Sequence, residues 1–214
     1  MPFFDELQSR TAAARAELFS VPAIRDCLSG RVTRRRYSAF LREAFHHVKH
    51  TVPLLQACAA RVAADRQALR AALQHYVDEE RGHEEWILND LHACGEDPGA
   101  ARRSLPSPAT KRMVDYVYDY IARLNPVGLL GMVHVLEGTS SALATRAAQV
   151  LAAALALPPA ALTYLSSHGS LDQEHVRFFE DLVNALPRPD QEAVVEVAEN
   201  VYRLYADLFR GLPA

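Results

Sequence analysis

The chain has 214 residues, half of them hydrophobic and 23% charged, with a net charge of -3 that excludes the basic footprint of a nucleic-acid binder. Three scattered cysteines, Cys27, Cys58 and Cys94, exclude a disulfide framework or a paired zinc site and read as small buried apolar residues. No apolar stretch reaches the ~20 residues that span a bilayer, and Met1-Pro2-Phe3-Phe4-Asp5-Glu6 lacks the order of a signal peptide, so a cytoplasmic protein without a membrane partner is expected.

Strand signals are nearly absent, and apolar residues recur at three- and four-residue steps. A first helix is expected over Ser9–Phe19, and a short second one from Ser20, as N-cap, with Pro22 in its first turn and Gly30 at its end. Thr33 caps a long third helix running to about Ala64, which Pro53 should kink because proline lacks an N–H and clashes with the preceding turn. A fourth helix spans about Asp65–His92 and a fifth Ala109–Leu124, separated by the loop-like Cys94–Gly99 and Ser104–Pro108. Asn125-Pro126 precedes a sixth helix to about Leu157. Pro158-Pro159 precedes a seventh over Ala160–Leu186, and Pro187–Pro189 a last one ending near Gly211. With no internal repeat or linker, residues 1–214 read as a single all-α domain, a bundle of seven to eight helices.

The seventh helix carries His168, Asp172 and His175. At about 100° per residue the second and third lie roughly 40° ahead of and 20° behind the first, on a stripe otherwise apolar (Leu165, Phe179, Leu182). Polar groups turned toward a core need partners, either a metal ion or hydrogen bonds, and both readings stay open for this helix alone. The fourth helix repeats the pairing as Glu80-x-x-His83, the carboxylate–imidazole step with which bundles build dinuclear sites. Its crowded charge, Asp78 to Glu85, equally suits a solvated face. In the sixth helix Glu137 stands within Val133–Thr139, a segment too apolar for a structural acid, and Gly138 beside it would allow close backbone approach. His134 reads as a core or outer histidine. In the third helix His46, His47 and His50 cannot all point inward. His50, ahead of the kink, is the expected further ligand, with His46 and His47 outside the site. Such nitrogen and oxygen donors without thiolate suit iron or manganese.

In Glu80-x-x-His83, Leu136-Glu137-Gly138 and His168-x-x-x-Asp172-x-x-His175, in this order on successive helices, the chain resembles the haem-oxygenase-like di-iron oxidases from about Phe40 onward. Trp86 after His83 is similar to the arrangement of the bacterial fatty-acid decarboxylase. Other relatives place an acid seven residues before the histidine, where this chain has Tyr76. His50 stands where the decarboxylase has a helix-three glutamate. The resemblance implies a haem-oxygenase-like fold and two iron ions (manganese the alternative) held by Glu80, His83, Glu137, His168, Asp172, His175 and His50. It also implies O2 activation with an external electron donor, a small-molecule substrate such as a fatty acid or amino acid, and a homodimer. Lys49, Tyr116, Tyr120 and His134 are candidate pocket residues, along apolar faces that include Phe45, Leu54 and Met132. The rival readings are a cofactorless oxidase of the pyrroloquinoline-quinone-synthase kind and a metal-free TenA-like binding protein. TenA-type thiaminase chemistry itself lacks its cysteine in Gly131-Met132-Val133-His134. Three inward acids would suit a haem poorly.

Overall fold

The computed structural model describes the backbone of residues 1–169 and 173–214 and the side chains of 1–167 and 176–214. Among these residues the chain is all helix and turn. The helices are α1 (Phe3–Arg10), α2 (Ala12–Ser20), α3 (Pro22–Leu28), α4 (Arg34–Val48), α5 (Thr51–Arg61), α6 (Gln67–Glu80) and α7 (His83–Ala93). They continue with α8 (Pro98–Arg103), α9 (Pro108–Arg123), α10 (Leu129–Leu155), α11 (Thr163–Gly169), α12 (Gln173–Asn184) and α13 (Arg188–Arg210), with 3-10 turns at Pro126–Gly128 and Pro159–Ala161.

Each of the eight expected helices is present, but several are divided. The first begins at Phe3 and breaks at Thr11, whose hydroxyl donates to the Leu7 carbonyl (2.7 Å), the back-bonding that bends helices. Ser20 closes α2 rather than capping α3; Val21 is the N-cap, and Pro22 opens the helix. Thr33 caps α4 as expected, its hydroxyl accepting from the Arg36 N–H (3.1 Å). Pro53 does more than kink the third helix. It cannot donate to the Lys49 carbonyl, and the helix stops at Val48 and restarts at Thr51. The fourth helix also breaks: Arg81 is extended and Gly82 adopts φ +91°, so Glu80 is the last residue of α6 and His83 the first of α7. Only glycine takes that backbone without strain, and the charged run around it has no apolar stripe to hold a continuous helix.

α10 lies at the centre. Its run Pro126–Leu155 is long and apolar enough to cross a membrane by length and composition, contrary to the reading of the sequence, yet 61% of its most apolar stretch is buried inside the fold. It packs along α13, α11 and the start of α5. The contact with α13 is closest at Gly131, where a Cβ would come within 2.6 Å of the Ala198 nitrogen and nearer still to the Val194 oxygen. Val194, Val197, Ala198 and Val201 are fully enclosed there. Burial of each such valine contributes roughly 1.5–3 kcal/mol. A second apolar cluster joins α4, α7 and the far half of α10 through Leu41, Ile87, Leu91 and Leu151.

α11 is fixed to α7 by a buried acid. Asp90, wholly enclosed, accepts hydrogen bonds from the Thr163 N–H (3.0 Å), the Tyr164 N–H (2.9 Å) and the Thr163 hydroxyl. Its carboxylate satisfies the first N–H groups of α11, where a negative charge also complements the positive end of the helix dipole.

Candidate metal centre

Between α4, α5, α6 and α10 lies a cavity of about 50 Å³ whose polar lining includes His47, Tyr76, Glu80 and Glu137 and whose apolar lining includes Leu54 and Met132. Glu80 reaches it from the end of α6. Behind it, His83 Nδ1 lies 3.1 Å from Glu80 Oε2, and the imidazole stacks on Trp86 with ring centres 4.0 Å apart. The helix break therefore leaves the expected acid–imidazole pair in contact. A carboxylate against one imidazole nitrogen fixes the tautomer and ring orientation, the arrangement that supports metal-ligating histidines.

Glu137 meets the cavity from α10. Burial, and then the negative charges of Glu80 and Glu79, push its carboxyl up to about 8. Burial and the same three carboxylates raise the Tyr76 phenol, whose enclosed hydroxyl has no hydrogen-bond partner among the described residues. A small cavity that holds two mutually repelling acids, an imidazole and an orphaned hydroxyl is a site a divalent cation would stabilise. Oxygen and nitrogen donors without thiolate fit iron or manganese. Among the described residues no three His, Cys, Asp or Glu side chains converge to ligating distance. Asp172 lies outside the described residues, as do the side chains of His168 and His175.

Several expected residues stand elsewhere. His50 is the N-cap of α5 and turns its Nδ1 to the Tyr118 hydroxyl (3.1 Å), while His47, one turn earlier, is 1% exposed and lines the cavity. The cause is the break before Thr51, which turns the chain before His50 can follow the inward face of α4. His46 bonds the Ser104 hydroxyl (2.8 Å), and Lys49 caps His46 Nδ1 (3.2 Å) and covers the Phe45 ring. Tyr120 donates to Glu196 (2.8 Å), and Tyr116 accepts from Asn200 (3.1 Å) beside an open surface groove. Lys49, Tyr116 and Tyr120 thus line neither cavity that Glu137 reaches. Among the described residues no backbone approaches Gly138 closely, because a Cβ there would meet none of them within 4 Å. Gly131 has that role.

Glu137 also borders a second cavity, of about 290 Å³, on the opposite side of α10. His134 lies in its wall, 4% exposed, stacked on Phe179 (5.9 Å) and edge-on to Phe4 (6.3 Å). Burial holds its pKa down to about 4, with the Arg15 charge a lesser cause. His47, Asp90 and Arg15 were not distinguished by the sequence. Their signals, one histidine among three, one acid on a mixed face and one arginine on a short helix, are common in any helical protein.

A sequence profile of the family described as iron-containing redox enzymes matches residues 38–206. A domain from Shewanella denitrificans, of unknown function and with a haem-oxygenase-like fold, superposes with a TM-score of 0.86 at 24% identity, covering 98% of this chain and 91% of that one. A TenA homologue from Pseudomonas syringae gives 0.80 at 12% identity over 98% and 92%. Haem oxygenase-1 from Synechocystis, solved with haem, gives 0.77 at 15% over 98% and 91%. The fold is therefore the all-α haem-oxygenase-like bundle. A search of curated proteins found no match.

Proposed function

Because the chain belongs to the family of iron-containing redox enzymes, we propose that it is an O2-dependent oxidoreductase of a small organic substrate, with iron held in the cavity between Glu80 and Glu137. The observation that carries this reading is the pair of acids facing one cavity with His47 and the orphaned Tyr76 hydroxyl. Two carboxylates in such a space are costly unless a cation joins them. His83 on Glu80, and the helical spacing of His168, Asp172 and His175, would complete a set for two metal ions of the kind bundles hold.

Bound iron would supply the electrons and the open coordination positions that O2 reduction needs. The protein's own contributions are simpler. His83 orients Glu80, Leu54 and Met132 exclude water, and the Tyr76 hydroxyl is placed to donate a hydrogen bond to an oxygen atom held in the cavity. Continued turnover requires an external electron donor.

The test is anaerobic loading of the full chain with Fe(II), removal of unbound metal and metal analysis. About two irons per chain are expected, with loss in Glu137→Ala and in His168→Ala while both remain folded. The loaded protein should consume O2. A folded wild-type chain that retains no iron would sink the proposal in favour of a TenA-like protein that binds its ligand without metal.

A further inference from the structure

We propose that the larger cavity on the far side of Glu137 is the substrate pocket, built for a small aromatic carboxylic acid whose carboxylate pairs with Arg15 and whose ring lies against Phe4 and Phe179. The inference rests on reading Glu137 as part of the reacting centre, and it fixes which end of the substrate meets that centre.

Three features of the pocket are unexplained by the protein's own packing. The first is Arg15 of α2, which lines the cavity. Its guanidinium donates to Gln8 and approaches the Tyr202 hydroxyl, both neutral, and among the described residues it makes no ion pair with a carboxylate. A guanidinium in a recess without a counter-ion is a ready partner for a planar anion. Arg15 reaches the cavity from α2, whereas Glu137 reaches it from α10.

The second is His134, which is 4% exposed and whose Nε2 has no partner among the described residues. Leaving a buried ring nitrogen unbonded is unfavourable, and a polar group on the ligand would satisfy it. The third is Gly138. A glycine in the interior of a 27-residue helix weakens it, and among the described residues no neighbour requires one, since a Cβ would meet none of them within 4 Å. Gly138 lines this cavity beside Glu137, and the open space next to it is where a ligand's reacting end would sit.

The walls select the ligand body. Phe4 and Phe179 meet at 73° with centres 6.2 Å apart, an arrangement that accepts a further ring by edge or face contact. At about 290 Å³ the cavity is at the lower end for small-molecule pockets and suits a one-ring acid better than a long chain. The apolar pocket around Phe40 and Leu143 offers no comparable anchor, because Arg36 at its rim already pairs with Asp26 (3.4 Å).

The probe is 3-phenylpropionate, titrated calorimetrically into the metal-free full chain and compared with 3-phenylpropanamide. The acid should bind, the amide at least about tenfold more weakly, and Arg15→Gln should weaken the acid by a similar factor. Gly138→Leu should abolish binding while leaving the melting temperature equal to or above that of the wild type, which separates a filled pocket from a damaged fold. Equal affinity for acid and amide, no binding of the acid, or undiminished binding by folded Gly138→Leu would each overturn the proposal. Because the titration uses metal-free protein, its outcome is independent of iron retention. Iron without acid binding refutes the pocket alone, and acid binding without iron refutes the metal reading alone.

Discussion

Replacing Gly131 with alanine tests the packing that holds the two central helices together. On helix propensity alone the change should stabilise the protein by about 1 kcal/mol. The surroundings oppose this. The new methyl would lie 2.6 Å from the Ala198 nitrogen, nearer to the Val194 oxygen and 3.0 Å from Val197 Cβ, and the first two are backbone atoms that no rotamer change can move. α10 and α13 would have to part by several tenths of an ångström along a seam where Val194, Val197, Ala198 and Val201 are fully enclosed. A gap of roughly 0.5–1 Å forfeits a quarter to a half of each contact's dispersion energy, and overpacked cores lose about 1–3 kcal/mol. Set against the gain in helix propensity, a net loss of about 1–2 kcal/mol is expected, or a melting temperature lower by roughly 5 °C for a chain of this size. Thermal unfolding followed by circular dichroism measures it. A Gly131→Ala protein that melts within a degree or two of the wild type would show that the helices yield freely there, and the reasoning would be wrong.

Three other outcomes are expected. Asp90→Ala should cost about 3–5 kcal/mol, because it strips the acceptor from two N–H groups at the start of α11, and Asp90→Asn should cost less; urea unfolding of both variants decides this. His134 sets a pH dependence. Above pH 6.5 the imidazole is neutral folded or unfolded; as pH falls from 6.5 toward about 4 only the unfolded chain takes up the proton, so stability falls by about 3 kcal/mol across that window. His134→Leu should flatten that part of the stability–pH curve, and an unchanged slope would contradict the buried neutral imidazole. Glu137→Gln should leave the metal-free protein as stable or more so, by about 1–3 kcal/mol, since it removes the cost of keeping a buried carboxyl protonated beside Glu80, yet it should lose iron. Melting curves and metal analysis on the same preparation read both effects.

The helices were legible because a 3.6-residue apolar period is a strong signal over ten or more residues, whereas their breaks depend on single residues. Pro53 announced a disturbance, but whether it bends or stops the helix depends on what packs around it. Gly82 gave less warning, since a glycine inside a charged run can be helical or left-handed with similar local cost. The site was legible where a residue contradicted its surroundings, as Glu137 does among apolar neighbours. It was illegible where equivalent residues competed. His47 and His50 both follow the helical pattern of α4, and only the break at Lys49 and His50 decides which of them faces the cavity. Arg15 shares its charge and helical setting with many other arginines; what sets it apart is the lack of an acid nearby, which is a property of the folded chain.

Gly131 and Gly138 show how one helix serves both the core and the site. Seven residues apart, they lie only about 20° from each other around α10 and roughly 10 Å apart along it. One is pressed against the backbone of α13, and a Cβ on the other would meet no described residue within 4 Å. α13 also supplies Tyr202 to the larger cavity, whose α10 wall includes His134, Glu137 and Gly138. A methyl at Gly131 should do more than lower stability: by shifting α13, and Tyr202 with it, against α10 it should change the affinity for 3-phenylpropionate, although it lies outside the pocket. An affinity unchanged in a destabilised Gly131→Ala protein would mean that the pocket is held by α1, α2 and α12 without help from the crossing.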